Sequence, residues 1–597
     1  MPVRDGILRA VVLFGVALLC ITEILSAFNA LSRGPLVTAW LLVISLAVIR
    51  ALRKRPQPRI ALPLFTRDPV ILLCAAGIAA ILTLTAVTAA FSPPNSADAM
   101  AYHMPRVIYW AEQSSVRFFP TGYMAQLMLQ PLAEYAMLHT FILSGGDHFI
   151  NFVQWLSSLG CIIGVSAVAA CLGARPRGQW LAGLFCATLP SGILASSGAK
   201  NDYVMGLWLV AAVYFAFRRD TLFLGAACGL ALFTKATAYL FAPWIIIAVL
   251  AQTPRRFVRV AAVAGALALV MNTPQYIRNY TLSGSVMGFE SVQADNAYRF
   301  RNDTLGWKQT VSNILRNTSE QLGGRTERWN QSVFQFVGRA HQLLGIDVND
   351  PATTWRFASY HAPRNANHEA DAPNRLHMLI LAGLGCLCLM RAGRDRGRAL
   401  YFLAILCGFV VFCVWLKWQP FMARLFLPLF VVASPLVGIL EEVISPAILQ
   451  VAACLLLLDG ARLPALENWV RPLRGPHSIL RTDRDLQYFS DMAQWSNTPS
   501  YREAARQLSK TNCDVIGVDL SHYHLEYPLQ ALLREQNPRV RYVHTGVNNV
   551  STRYQQPVAA TPCAIVCLEC AGDTQHLTIY KDFPHSNTAG QFVILTK

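Results

Sequence analysis

Phe91–Tyr123 reads FSPPNSADAMAYHMPRVIYWAEQSSVRFFPTGY, and the rest of the chain is best approached from it. The stretch follows a long apolar segment, opens on Ser92-Pro93-Pro94-Asn95, and then carries Asp98, Tyr102, His103 and Arg106. On a helix starting at Ser96 these four stand at i, i+4, i+5 and i+8 and share one broad face. Met100, Met104, Val107, Ile108 and Ala111 fall mostly on the other side. The spacing predicts an amphipathic helix beside a membrane, with a carboxylate, a phenol, an imidazole and a guanidinium grouped together. Such a set can deprotonate a hydroxyl and hold a phosphate. An interfacial helix can equally turn its polar face to water and do nothing more.

Outward from this stretch the chain is apolar. Of its 597 residues 54% are hydrophobic and 14% charged, where soluble domains carry roughly 25% charged residues. The net charge is +17. In a membrane chain such an excess marks cytoplasmic loops, so it does not point to nucleic acid. The N-terminal apolar run lacks a cleavable-signal pattern and reads as a retained helix. Thirteen spans are expected, near 7–30, 35–50, 69–91, 148–172, 177–195, 203–218, 220–235, 238–252, 257–272, 376–391, 398–416, 421–440 and 446–460. Several, above all those between 220 and 252, are short for a crossing and could be half-helices or a pair with a polar apex.

Lysine and arginine set the expected orientation. With the N-terminus cytoplasmic, the basic connections Arg50–Arg59, Ala174–Gly178, Arg218-Arg219, Arg255–Arg259 and Arg391–Arg398 all fall inside. This requires Met124–Gly145 to lie along the outer surface as a second interfacial helix. Three pieces then face outward: a first loop (about 92–147), a long loop (about 273–375) and a soluble tail (462–597). In the tail, Asp514–Leu520 and Ala564–Leu568 look like buried strands, and Tyr501–Lys510 and Tyr527–Glu535 look helical. The expected fold is therefore an α-helical polytopic membrane protein, with a transmembrane catalytic domain over 1–461 and a small C-terminal α/β domain over 462–597. The tail has no G-x-G-x-x-G and no P-loop, so no nucleotide is assigned to it.

Of 15 cysteines, 11 sit in apolar runs and read as small buried hydrophobes. Cys513, Cys563, Cys567 and Cys570 lie in the tail. The Cys567-Leu-Glu-Cys570 pair reads as a structural disulfide if the tail is outside the cytosol.

The same topology gathers polar residues from distant segments onto the outer face. Lys200, Asn201 and Asp202 stand at the mouth of the helix starting at Tyr203, and Lys235 at the 220–252 apex. Arg278 and Asn279 follow the helix ending at Asn272, while Lys417, Gln419 and Arg424 flank the turn after Trp415. One such cation alone is ordinary snorkelling. Together with Asp98 they predict an acid-lined, cation-rich cavity. Its cations would neutralise a lipid phosphate, arginine in a bidentate way. Asp98 or Asp202 would act as general base on an acceptor hydroxyl or amine, and a polyprenyl phosphate would be the leaving group. His368-Glu369-Ala370-Asp371, with His361 nearby, could ligate a metal. It reads better as a polar loop entering a helix at Asn374, with Glu369 as an acceptor contact. His522-Tyr523-His524 with Glu526 is a weaker metal signal still. A divalent metal is thus allowed but not favoured, and no other cofactor is expected.

Five segments together carry a resemblance: SADAMAYHMPRV (96–107), SSGAKNDYVMGLW (196–208), GLALFTKATAYL (229–240), NTPQYIRNYTLSG (272–284) and LKWQPFMARLFLPLF (416–430). In order and topology the chain resembles the GT-C superfamily of integral-membrane glycosyltransferases. It looks closest to the bacterial branch related to protein O-mannosyltransferases and the lipid A aminoarabinose transferase. The resemblance implies a sugar donor on polyprenyl phosphate, inversion at the anomeric carbon, and a catalytic acid in the first outer loop, here Asp98. It maps the lipid-phosphate cations onto Lys235 and Arg424, and a second acidic position onto Asp202. Arg278 would join the phosphate, and Tyr102, His103 and Gln419 would contact sugar or acceptor. Two departures stand out. Two helices precede the one feeding the first loop, where many relatives have one. Asp98 is not followed by a second acid, as it is in many family members, so neither a paired-acid mechanism nor a divalent metal carries over simply.

The expectation is a glycosyltransferase of the bacterial inner membrane, with its active site and C-terminal domain in the periplasm. Its partners would be membrane lipids, a lipid-linked sugar donor and a lipid, glycan or protein acceptor. A flippase or transporter would need a polar path through the bilayer, and few charges fall near mid-span. A non-catalytic scaffold for envelope assembly would account for the tail but not for the first-loop cluster.

Overall fold

The computed structural model describes residues 2–53, 67–252, 257–288, 300–356, 358–555 and 561–597. The basic stretches expected inside at Arg50–Arg59 and Arg255–Arg259 lie partly outside the described residues. Each of the thirteen apolar runs is helical, 177–195 and 421–440 as successive shorter pieces. Eight helices among the described residues are long and apolar enough to cross a membrane, and the chain is read as an integral membrane protein on that basis. The pair Pro176–Ala187 and Pro190–Ser196, bent by 66°, is either a ninth, broken span or a re-entrant loop. Pro190 cannot continue the hydrogen-bond ladder of the helix before it, which accounts for the break.

Sequence pattern decides where each helix sits. Arg33–Arg53 buries only Leu36 and turns Leu41, Leu42, Ile44 and Leu46 outward, as a lipid-facing helix should. Asp202–Arg218 is apolar all round and buried from Asp202 through Ala216, which places it at the centre of the bundle. Its close neighbour is Phe152–Cys171. A Cβ on Gly160 or Gly164 would come within 2.7 Å of Leu207 or Val210 respectively. This small-xxx-small face lets the two backbones approach. Thr221–Thr234 and Ala238–Ala251 are two short helices, about 21 Å each at 1.5 Å per residue. Lys235 stands between them in extended conformation.

Two boundaries differ from expectation. The helix expected over 257–272 runs on from Phe257 through Pro274 to Ser283, so Arg278 and Asn279 sit on its last turns and not in a loop. Met124–Gly145 does not lie along a surface with one face in water. Its main helix, Leu132–Ser144, buries Glu134, Tyr135 and His139 with its apolar residues, because it packs against Pro2–Ala27, Arg33–Arg53 and Met104–Glu112.

The tail forms one five-stranded sheet. The strands are β1 (Val515–Asp519), β2 (Arg541–Thr545), β3 (Ala564–Cys567), β4 (His585–Ala589) and β5 (Phe592–Thr596), in the order β2-β1-β3-β5-β4. β1 runs parallel to β2 and β3, and β5 is antiparallel to β3 and β4. Helices Thr498–Lys510 and Tyr527–Gln536 match the two expected in the tail. Cys513 pairs with Cys563 and Cys567 with Cys570. The segment 92–147 forms a floor for the tail. Asp147 accepts from Tyr488, Tyr527 and Arg484 at 2.7, 2.8 and 2.7 Å, and Glu112 accepts from the Tyr542 amide at 2.9 Å.

Candidate active site

The first-loop helix is not the regular α-helix its spacing suggests. Ala99–His103 is a π turn, and the α-helix proper is Met104–Glu112. Pro105 accounts for this. It has no N–H to give the carbonyl four residues back, and its ring clashes with that carbonyl. The freed Ala101 carbonyl accepts instead from Gln126 Nε2 at 3.0 Å. The extra residue of a π turn offsets every later side chain by about 100° from α periodicity. The four polar groups therefore divide into two sets.

His103 and Arg106 go inward. Both side chains are fully buried with Glu134, each 3.0 Å from its Oε1. Arg106 also donates to the carbonyls of Gln126, Leu127 and Leu129 at 2.5, 2.7 and 2.8 Å. Burial alone would raise the Glu134 carboxyl, but His103 and Arg106 outweigh it and hold it below its ordinary range.

Asp98 faces Arg424, whose Nη1 is 2.6 Å from Asp98 Oδ2; the side chains are 14% (Arg424) and 23% (Asp98) exposed. Burial would raise the Asp98 carboxyl, but Arg424, Lys200 and His103 hold it well below the carboxylate range. Tyr102 lies close to both Asp98 and Arg424. Burial and the Asp98 charge push its phenol far up, so its hydroxyl keeps its proton. Among the described residues, Arg424 Nε is buried with no hydrogen-bond partner. A guanidinium with a spare buried donor can accept one more anionic ligand.

Three further segments meet here. Asp202 opens its helix while Gln154 Oε1 takes the Tyr203 and Val204 amides at 2.8 and 3.2 Å. Lys235, at the end of Thr221–Thr234, bonds Asp202, and Arg424 reaches both Asp98 and Asp202 electrostatically. Lys200 Nζ is 2.5 Å from Glu369 Oε1, and Asn201 points its amide at the Thr234 carbonyl at 3.4 Å. Gln419 is buried just before the turn carrying Arg424.

Glu369 was expected as an acceptor contact. It is 1% exposed and holds Arg471 as well as Lys200. Burial would raise it, but these two cations keep it well below the carboxylate range. Arg278 forks onto Glu23 at 2.9 and 2.7 Å and meets Tyr135 at 2.9 Å. Asn279 ties Met128 O and Val286 O at 3.2 and 3.1 Å. Lys417 is bound to Asp303 at 2.7 Å and to the Pro351 carbonyl at 2.8 Å. The structure thus groups Asp98, Tyr102, Lys200, Asn201, Asp202, Lys235, Glu369 and Arg424. His103, Arg106, Arg278, Asn279 and Lys417 have polar partners elsewhere.

Among the described residues, neither suspected set brings three metal-donor atoms together. Asp371 pairs with Arg364 at 2.9 Å and His368 with Asp491 at 3.1 Å, and the helix beyond begins after Asn374.

Several contributors from the tail were not foreseen. Arg471 is fully buried and donates to Asn95 Oδ1 at 2.9 Å, and Asp491 accepts the Ala97 amide at 3.0 Å. Both pin the start of the first-loop helix. His524 stacks on Tyr123 with ring centroids 4.5 Å apart. Burial pushes its imidazole down, while nearby Asp98 and Glu526 act upward. Glu526 is buried and bonded by Tyr109 at 2.9 Å, Gln126 at 2.7 Å and His544 at 3.1 Å. No sequence signal marks these residues as neighbours of Asp98, since their contacts with the first loop span hundreds of residues.

No family model and no curated protein matches the chain. Solved structures do show a likeness. ArnT from Cupriavidus metallidurans bound to undecaprenyl phosphate superposes with a TM-score of 0.48 at 13% identity, over 87% of this chain and 97% of that one. The archaeal oligosaccharyltransferase AglB from Archaeoglobus fulgidus, in complex with an inhibitory peptide and a dolichol-phosphate, gives 0.45 at 13% identity over 85% and 71%. Similarity at this level leaves the site of the present chain to be judged on its own residues.

Proposed function

We propose that this chain is a membrane glycosyltransferase that moves one sugar from a polyprenyl-phosphate donor to an acceptor at the outer face of the bacterial inner membrane. The observation that carries the reading is the Asp98–Arg424 pair: a partly exposed carboxylate on a guanidinium that keeps a buried donor spare. The Lys235–Asp202 pair lies beside it.

In this reading the donor phosphate takes the spare Arg424 nitrogen and Lys235 in charge-assisted bonds. Arg424 then shares its charge between phosphate and Asp98. The hold on the Asp98 carboxylate weakens and its basicity rises toward the range a general base needs. The acceptor O–H or N–H gives its proton to Asp98. The acceptor atom forms the new bond to the anomeric carbon as the bond from that carbon to the phosphate oxygen breaks. The electron pair leaves with the polyprenyl phosphate, where the cations offset the developing charge. One displacement inverts the anomeric centre. Tyr102 donates to sugar or acceptor, and Asp202 keeps Lys235 in place. Residues 1–461 would form the catalytic domain and 462–597 a periplasmic domain closing over the first loop, with the N-terminus cytoplasmic.

The test is product analysis. Purified protein receives defined polyprenyl-phosphate sugars with lipid, glycan or peptide acceptors, and free polyprenyl phosphate and glycosylated acceptor are measured. Formation of both in equal amounts is expected. Binding of the donor with neither product would overturn the reading in favour of a carrier.

A further inference from the structure

A second cluster of chemically active groups lies in the tail, apart from the Asp98–Arg424 group. β1 ends on Asp519 and β3 ends on Cys567, and the two face each other in the parallel register. From β1 the chain goes on to β2 on one side, and from β3 it goes to β4 at the far edge on the other, returning as β5 between them. The C-terminal ends of β1 and β3 thus flank a topological switch point, where open α/β sheets take their ligands. Cys570 follows in the turn after β3, and His576 on the short helix Thr574–Leu577 comes back over the edge. One donor atom from each of Asp519, Cys567, Cys570 and His576 lies within 4.8 Å of all the others.

This set has the marks of a metal site and not of a chance polar cluster. His576 Nε2 is 2.7 Å from Asp519 Oδ2. Tyr580 donates to the same oxygen at 2.5 Å, and Ser521 gives its amide and hydroxyl to Oδ1 at 2.9 and 2.5 Å. The carboxylate is therefore held in orientation by an outer layer of donors, as metal-ligating carboxylates are. Asp519 is 0% and His576 19% exposed at the side chain, so an ion has an entry from the histidine side. His522 stands at that mouth, its ring 5.3 Å from that of His576. Two thiolates, an imidazole and a carboxylate suit a borderline-soft tetrahedral ion, whose bonds of about 2.3 Å to sulfur and about 2.0 Å to nitrogen and oxygen need donors roughly 3.3–3.8 Å apart.

We propose that Asp519, Cys567, Cys570 and His576 form a binding site for one divalent ion of the zinc class, opened and closed by the Cys567–Cys570 disulfide. The closed state is the paired one seen here. Exchange with a dithiol supplies two electrons and two protons, leaving two protein thiols and an oxidised partner disulfide. Binding of the ion then releases the two thiol protons and leaves two thiolates on the metal. The disulfide and the metal exclude each other, because each needs both sulfurs.

The experiment uses the full chain in detergent, with the second disulfide removed by Cys513→Ser and Cys563→Ser so that no other tail thiols compete. The protein is reduced with a phosphine, exchanged into anaerobic buffer and titrated with Co2+ alone. One equivalent should bind with thiolate-to-cobalt charge-transfer bands and tetrahedral d–d intensity. Zinc should displace it, and X-ray absorption of the zinc form should show two sulfur neighbours. Cys570→Ser should abolish the charge-transfer intensity of the pair. Asp519→Asn should weaken binding about 10- to 100-fold while the thermal unfolding midpoint of the oxidised protein stays put. Absence of thiolate bands in the reduced parent, bands that survive Cys570→Ser, or equal binding before and after reduction would each overturn the proposal.

Discussion

The two halves of one short helix carry the same kinds of side chain to opposite ends. On the inner side, Arg106 and His103 meet Glu134 with no exposed side-chain surface. Arg106 has, in addition, three backbone carbonyls as partners. On the outer side, Asp98 meets Arg424 with both side chains partly open and one buried guanidinium nitrogen unsatisfied. An arginine–carboxylate contact says little by itself. What distinguishes the two is the guanidinium: every nitrogen of the fully buried Arg106 has a partner, although His103 Nε2 and Glu134 Oε2 beside it have none, while the partly open Arg424 keeps one nitrogen spare for a ligand.

The comparison is broken most severely at Arg106. Arg106→Met takes the guanidinium from Glu134, which keeps His103, and from three carbonyls, and should cost about 3–5 kcal/mol of stability. Thermal unfolding in detergent should show a large fall or loss of folded protein, whereas the same test on Arg424→Gln should show little change. If the two variants unfold alike, the division into holding pair and binding pair is wrong.

Arg424→Gln and Lys235→Gln should instead weaken donor binding. A charge-assisted bond contributes about 1.5–3 kcal/mol, so a loss of at least 10-fold is expected in titrations with a polyprenyl-phosphate sugar or polyprenyl phosphate. Arg278→Gln, at the Glu23 fork, should leave donor affinity unchanged.

A smaller effect sharpens the contrast through pH. Glu112 lies on the same helix, and burial against the tail pushes its carboxyl up to about 8, against the bonds from the Tyr542 amide and the nearby Arg534. Between about pH 4.5 and 8 the folded state holds this proton and the unfolded state does not. The contribution of Glu112 to stability is therefore complete below its unfolded pKa, falls as pH rises through this window, and levels off above it. Unfolding midpoints of the parent should decline relative to Glu112→Gln across that window. Parallel curves for the two proteins would contradict the burial account.

Much of this was legible in the chain itself. Every apolar run is helical, though 177–195 and 421–440 break into shorter pieces, because run length and lipid demand leave few alternatives. Lys200, Asp202, Lys235, Arg424 and Asp98 could be brought to one face from span count and charge asymmetry alone. The face assignment within the first loop failed at Pro105, whose effect on the turn before it shifts the helical period in a way that a regular spacing rule does not include. Arg471 and His524 were illegible for another reason. They reach the site through tertiary docking of the tail, and nothing in their local pattern records the distance they close. The same holds for Asp519 and Cys567, which become neighbours only through strand order.

The most direct test is turnover by Asp98→Asn, which keeps the size of the side chain and removes its basicity. The account predicts a protein that folds and unfolds like the parent, binds the lipid-linked donor, and transfers sugar at least about 10²-fold more slowly. An Asp98→Asn protein that is well folded and transfers sugar at near the parental rate would contradict it.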